Sequence, residues 1–212
     1  MRGLIYKEMA VFFKSLDKKV ILLAIFAAVL ILYNKNTNIY AGILLSVMSA
    51  ATIGLQNTIS FMGDEKTGWK KYQMAMPVNG FLVVTSKYIS VVLTLVLSLA
   101  SSILFNVVTG VISGSFNIMF FGLSAALSII IPLSLNAICL PVTYWFGYGQ
   151  TQVVWVIITL VTAGFVKYIE KGQGMDIING NWITGMVMAV IASVVLFAVS
   201  IAVSIPGYER RK

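Results

Sequence analysis

The stretch "MGDEKTGWKKYQMAMP", Met62 to Pro77, sits between two long apolar runs. It carries an acidic pair, three lysines, two glycines and a tryptophan. Its flanks, Tyr40–Met62 and Phe81–Ile112, are each long enough to cross a bilayer. A spanning helix needs about 20 apolar residues, because the hydrocarbon core is about 30 Å thick and the helix rises about 1.5 Å per residue. The stretch therefore reads as a compact polar segment between membrane helices, and it fixes how the rest of the chain is laid out.

Composition supports a lipid environment. Of 212 residues, 59% are hydrophobic and only 10% charged, with a mean hydropathy of +0.94. A soluble domain carries roughly 25% charged residues, and its surface needs more polar cover than this chain has. The net charge of +8 would suggest nucleic acid in a soluble protein. Here the lysines are read first as topology signals, and no nucleic-acid partner is expected. The sequence holds no histidine and a single cysteine, Cys139. That leaves no metal-ligand cluster, no intrachain disulfide and no histidine base, so neither a metal nor another cofactor is expected. No cleavable signal peptide is evident, since the first apolar run follows nearly twenty mixed-charge residues without a small-residue cleavage site.

Six spans are expected: Val20–Tyr33, Tyr40–Met62, Phe81–Ile112, Ile118–Phe146, Thr151–Tyr168 and Ile183–Ile205. The first is short and leans on the stems of Lys18 and Lys19. The third, at about 48 Å, should tilt or start in the interface. Pro132 and Pro141 inside the fourth each remove a backbone donor, which predicts a kinked or broken helix. Both termini then share one side with the polar segment. Twelve of the fifteen basic residues fall there, and only Lys35, Lys167 and Lys171 fall opposite. The positive-inside bias places that side in the cytoplasm. The expected organisation is one all-α transmembrane domain over residues 1–212. Residues 1–19 form an amphipathic interfacial helix, 20–62 two spans, 63–80 a cytoplasmic segment, 81–205 four spans and 206–212 a cytoplasmic tail. In the first helix Ile5, Met9, Phe12, Phe13 and Leu16 keep helical spacing, with Arg2, Lys7, Glu8 and Lys14 on other faces. This predicts a helix lying on the inner leaflet, in contact with lipid.

Two ladders of small residues stand out. Gly42, Ser46, Ala50 and Gly54 repeat every fourth residue in the second span; Ser86, Ser90, Thr94, Ser98, Ser102, Asn106 and Gly110 do so in the third. Such a stripe either lets helices pack closely, its hydroxyls bonded to the preceding turn, or lines a path through the membrane. Packing is the more economical reading. Gln56, Asn57, Ser98, Asn106 and Asn136 are candidates for either role, because an amide in lipid must find a partner. No ionisable residue sits in the middle of any span, which argues against proton- or ion-coupled transport.

Gly63–Gly68 followed by Trp69 superficially matches a phosphate-binding loop, but Trp69 occupies the place of the essential lysine and no buried strand precedes it. Asp64 and Glu65 are adjacent, so on a helix they diverge by about 100° and do not face one site. A membrane enzyme is the weakest reading. The acidic pair is expected at the start of a helical turn, complementing its dipole. Trp69 and Tyr72 then anchor in headgroups, Lys66, Lys70 and Lys71 face water or a protein, and Pro77 to Gly80 make a turn.

"GDEKTGWKKYQMAMPVNGFLVVTSKY", Gly63 to Tyr88, resembles the signature of ABC-2-type permeases from bacterial ABC exporters. Asp64, Glu65, Gly68, Trp69, Tyr72, Pro77, Val78, Val84, Ser86, Lys87 and Tyr88 match it in order and spacing. The similarity extends to permeases that export amphipathic peptides such as phenol-soluble modulins, and to relatives in antimicrobial-peptide export and resistance. It implies a type V exporter-like fold in the bacterial cell membrane. It also implies a coupling role for Asp64, Glu65, Lys66, Gly68, Trp69, Lys70, Tyr72 and Pro77 against a separate ABC ATPase subunit, with a second permease chain alongside. Where the family carries a lysine-bearing turn after the fourth helix, this chain has "YWFGYGQTQ". A second ATPase contact would then rest on Phe146, Gly147 and Gln150. A non-transport membrane module, such as an immunity or channel-like protein, would share the topology but has no need of the insert.

Overall fold

A computed structural model describes residues 2–15, 38–75, 79–114, 118–158 and 182–210. The expected first span, most of the fifth, and Pro77 lie outside the described residues. All regular structure among the described residues is helical. Helix α1 is Arg2–Ser15, α2 Asn38–Lys66, α3 Trp69–Ala75, α4 Gly80–Ser113, α5 Ile118–Phe146 and α6 Trp182–Arg210; residues 148–158 are helical as well. Among the described residues, four stretches are long and apolar enough to cross a membrane: Ala41–Lys66, Gly80–Ile112, Ile118–Phe146 and Thr184–Arg210. The second, third, fourth and sixth expected spans coincide with these helices. Helix α4, at 34 residues, is about 51 Å long and so exceeds the bilayer core.

Helix α2 packs against both α4 and α5, α5 against α6, and α4 touches α5 and α6; α1 lies against α4 and α2. Lipid tails are as apolar as leucine, so close backbone approach and polar side-chain bonds hold such a bundle together. The α2 ladder lies in these seams. A Cβ on Gly42 would stand 2.6 Å from Thr109 Oγ1 and 2.9 Å from Asn106 Oδ1. One on Gly54 would stand 3.3 Å from the Pro132 Cα. Ser46 and Ala50 between them are fully buried. The α4 ladder is buried too, from Ser86 to Asn106. Ser86, Ser90 and Thr94 each donate to the carbonyl three residues back.

Asn106 is the largest polar node of the packing. Its Nδ2 lies 3.0 Å from Ser46 Oγ on α2, 2.7 Å from Ser124 Oγ on α5 and 2.7 Å from the Ser102 carbonyl. Two amide hydrogens are thus shared among three acceptors on three helices. Asn57 Nδ2 donates to Thr94 Oγ1 at 2.8 Å, a second link between α2 and α4. Asn136 Nδ2 donates to its own helix at Pro132 O, 2.8 Å away.

Of the two outcomes expected for the fourth span, a break is excluded: Pro132 and Pro141 lie inside α5, which runs as one helix from Ile118 to Phe146. Pro132 has no N–H to offer the Ser128 carbonyl four residues back. Ser98 Oγ of α4 supplies the missing donor at 3.0 Å. The neighbouring helix thereby satisfies the group that proline exposes, as membrane helices require. Ser98→Ala is expected to destabilise the chain by about 1 kcal/mol, read as a lower unfolding midpoint in detergent micelles; an unchanged midpoint would remove Ser98 from this role.

Candidate functional site

The chemistry gathers where α1, the end of α2, α3 and the start of α4 meet. Helix α2 continues past Met62 to Lys66, so Asp64 and Glu65 occupy its last turn. This corrects the expectation that they open a helical turn: acidic groups there oppose the helix dipole. Cations from elsewhere in the chain offset this at Asp64. Lys7 of α1 forms an ion pair with Asp64, and Lys87 of α4 lies 3.7 Å from its other oxygen. Glu8 of α1 pairs with Lys87 and, at 3.1 Å, with Lys7. Ser60 Oγ reaches Glu8 at 3.5 Å. Among the described residues, two cations and two anions therefore form a neutral cluster over three helices.

The cluster is dry on one side. Lys87 is only 4% exposed. Burial pushes the Glu8 carboxyl up, but the charges and hydrogen bonds of Lys87 and Lys7 outweigh it and hold the group below its ordinary value. Glu8 is thus ionised at neutral pH, as two cationic neighbours demand. Rings complete the setting. The Lys87 ammonium lies 4.1 Å from the centre of the Phe61 ring and that of Lys7 lies 5.0 Å from the Trp69 ring, within cation–π range. Phe61 meets Tyr144 of α5 edge-on at 5.3 Å, and Tyr144 meets Tyr208 of α6 at 6.0 Å. Tyr88 Oη bonds Ser200 and Ser204 of α6 at 2.6 and 2.7 Å. A cavity of about 70 Å³ lies among Glu8, Asp64, Lys87, Tyr144 and Tyr208.

A second tie joins the polar segment to the turn after α5. Glu65 Oε1 accepts the backbone N–H of Tyr148 at 3.0 Å. Both partners depend on glycines in the left-handed region. Gly68 (φ 66°) turns the chain from α2 into α3, and Gly147 (φ 95°) turns it from α5 into residues 148–158. A side chain is strained at either position. Thr143 and Thr151 brace the latter turn with a 2.8 Å hydroxyl contact.

The residues singled out from sequence fall into two groups. Asp64, Glu65, Lys66, Gly68, Trp69 and Tyr72 lie together at this end of the bundle, with Phe146, Gly147 and Gln150 on the adjacent turn. Tyr72 and Phe146 are well exposed, at 66% and 67%. The backbone of Lys70 lies in α3. Gln56, Asn57, Ser98, Asn106 and Asn136 lie apart, buried in the helix packing.

Sequence reasoning missed Lys7, Glu8 and Lys87 as partners. It placed Lys7 and Glu8 away from the buried face of α1. In the structure Leu4 packs against the core, Phe12 is 4% exposed, and Lys7 and Glu8 point to the same side. Tyr6 and Phe13 are the exposed aromatics of α1, at 77% and 55%. The available signal was Lys87 itself, a cation within an apolar run with too few local anions to pair it.

Over residues 3–209 the chain matches the family described as ABC-2 family transporter protein. No curated protein and no solved structure shows a significant match to it.

Proposed function

Because the chain belongs to the ABC-2 family of transporter proteins, a family of generally non-catalytic membrane components that work with an ABC ATPase, we propose that it is the permease subunit of a bacterial ABC exporter. In this reading Asp64 to Pro77 is the coupling segment that docks on the separate ATPase. Phe146, Gly147 and Gln150 form the second contact. ATP-driven movement of the ATPase is passed through these segments to the long helices, and two permease chains work as a pair.

The observation that carries the reading is the Glu65–Tyr148 hydrogen bond. It makes one surface of two segments far apart in sequence, each turned by a left-handed glycine, each bearing exposed aromatics. A solvated loop has no use for such a brace. A docking surface that must transmit force does, because a lever works only if it does not bend.

The four described spans, with Val20–Tyr33 and Thr151–Tyr168, make six. Both termini and the docking surface then face the cytoplasm of the cell, and α1 lies along the inner interface with Tyr6 and Phe13 toward lipid. The proposed cargo is an amphipathic peptide or similar molecule. The exposed apolar faces of α4 and α6 and the lack of a mid-span charge support this, together with the likeness of Gly63–Tyr88 to peptide exporters. A non-transport module of the same topology would have neither a family of transporters behind it nor a use for the braced surface.

Co-purification with the ATPase tests the docking role. Glu65→Lys reverses the charge that holds Tyr148, and Trp69→Ala removes a large aromatic of the kind that dominates interfaces. Each is expected to lower ATPase recovery about tenfold while membrane insertion is unchanged. Full recovery with both variants would refute the docking surface.

A further inference from the structure

The cluster of Lys7, Glu8, Asp64 and Lys87 has more buried charge than stability explains. Removing ions from water is costly, and a buried pair exchanged for well-packed apolar groups is often neutral or stabilising. What such groups supply is a fixed register between elements. Here the elements are α1, the last turn of α2 and the first turns of α4. Glu8 stands 79 residues from Lys87 and Lys7 stands 57 from Asp64, so no local constraint brings them together.

We propose that this cluster is a latch that makes α1 move with the coupling segment, and that Lys7 and Glu8 are positioning residues for energy coupling. The inference rests on the docking reading above. The geometry supports it in three ways. Both oxygens of Asp64 are engaged, one by α1 and one by α4, so a displacement of the α2 end pulls on both helices. Glu8 bridges Lys7 and Lys87, which closes the cluster. Lys7 also lies over Trp69 of α3, so the segment that meets the ATPase touches α1 directly. Helix α1 thereby becomes an arm that carries the motion of the coupling segment.

The cluster can be cut on one side without unbalancing it. Lys7→Met with Glu8→Gln removes one cation and one anion, both from α1. Asp64 and Lys87 then remain a 3.7 Å pair, and every docking residue is untouched. Spin labels at Tyr6→Cys on α1 and, separately, Ala75→Cys at the end of α3 report the two ends; both sites are exposed. The background carries Cys139→Ala, which removes the buried native thiol. The experiment uses the complex with its ATPase in lipid vesicles, with ATP and vanadate as the trigger.

In the otherwise native complex both labels are expected to respond. In the Lys7→Met/Glu8→Gln complex the Ala75 label should respond as before and the Tyr6 response should fall about tenfold. Lys7→Arg with Glu8→Asp, which keeps the charges, should restore it. A full Tyr6 response in the neutral variant would overturn the latch and leave the docking reading standing. Silence of the Ala75 label in the native complex would overturn the docking reading and the latch with it. A preserved Ala75 response also shows that the variant is folded and docked, which separates lost coupling from lost structure.

Discussion

Lys87→Met is expected to destabilise the chain by about 3–5 kcal/mol, the usual effect of removing one partner of a buried ion pair. Lys87 is 4% exposed and pairs with Glu8, with Asp64 at 3.7 Å. Without it two carboxylates share Lys7 alone. A like charge nearby and a dry setting both disfavour ionisation, so one carboxylate must take up a proton or the helices must separate. The methionine itself fits: it keeps the length of the lysine stem and still lies over Phe61. The loss is therefore electrostatic, and it should be reversible by charge balance. Adding Glu8→Gln leaves Lys7 and Asp64 as a single pair, and most of the stability should return. Unfolding midpoints in detergent for the two single variants and the double variant measure this directly. A Lys87→Met chain that unfolds like the native one would mean that water, not protein, surrounds the cluster.

Gly42→Leu should be comparably damaging for a different reason. Even the first carbon of a side chain there would lie 2.6 Å from Thr109 Oγ1 and 2.9 Å from Asn106 Oδ1. A leucine must push α2 from α4. Overpacking of this kind costs about 1–3 kcal/mol. Separation of the helices also breaks the Asn106 bond to Ser46, which leaves buried polar groups without partners at a further cost of about 1–3 kcal/mol. The expected outcome is loss of the monodisperse species in size-exclusion chromatography. Gly122→Leu is the matched control. It lies in α5 with nothing within 4 Å of its would-be Cβ, and the fold of the chain should be unaffected. Equal behaviour of the two variants would show that the α2–α4 seam is not close-packed.

The helices were legible because their signal is local. Residues 81–112 and 118–146 are long apolar runs, and lipid leaves a backbone few options but the helix. The small ladders were legible for the same reason, although each four-residue step turns the helix by about 40°, so that Gly42 meets α4 and Gly54 meets α5. What the sequence hid depends on residues far away. Met62 looked like the end of α2, because Asp64 and Glu65 at a helix C-terminus are unfavourable on local grounds. Lys7 and Lys87 reverse that balance for Asp64. Pro132 looked like a kink or a break, and what keeps the helix continuous is hidden from local sequence, because the donor that serves the Ser128 carbonyl sits on Ser98, 30 residues away. Helical periodicity separated polar from apolar positions on α1, but a polar face looks the same whether it meets water or a buried cluster. Glu65 was legible as part of a motif, while its bond to the Tyr148 backbone has no side-chain signature at all.

The central claim is that the polar segment between α2 and α4 faces the cytoplasm and receives a partner ATPase. Side-specific labelling of Ala75→Cys, at the exposed end of α3, in the Cys139→Ala background, tests it most directly. A membrane-impermeant thiol reagent is applied to right-side-out and to inverted bacterial membrane vesicles, with and without bound ATPase. The account predicts labelling in inverted vesicles alone and protection when the ATPase is present. Labelling from the outside, or labelling that the ATPase does not reduce, would contradict it.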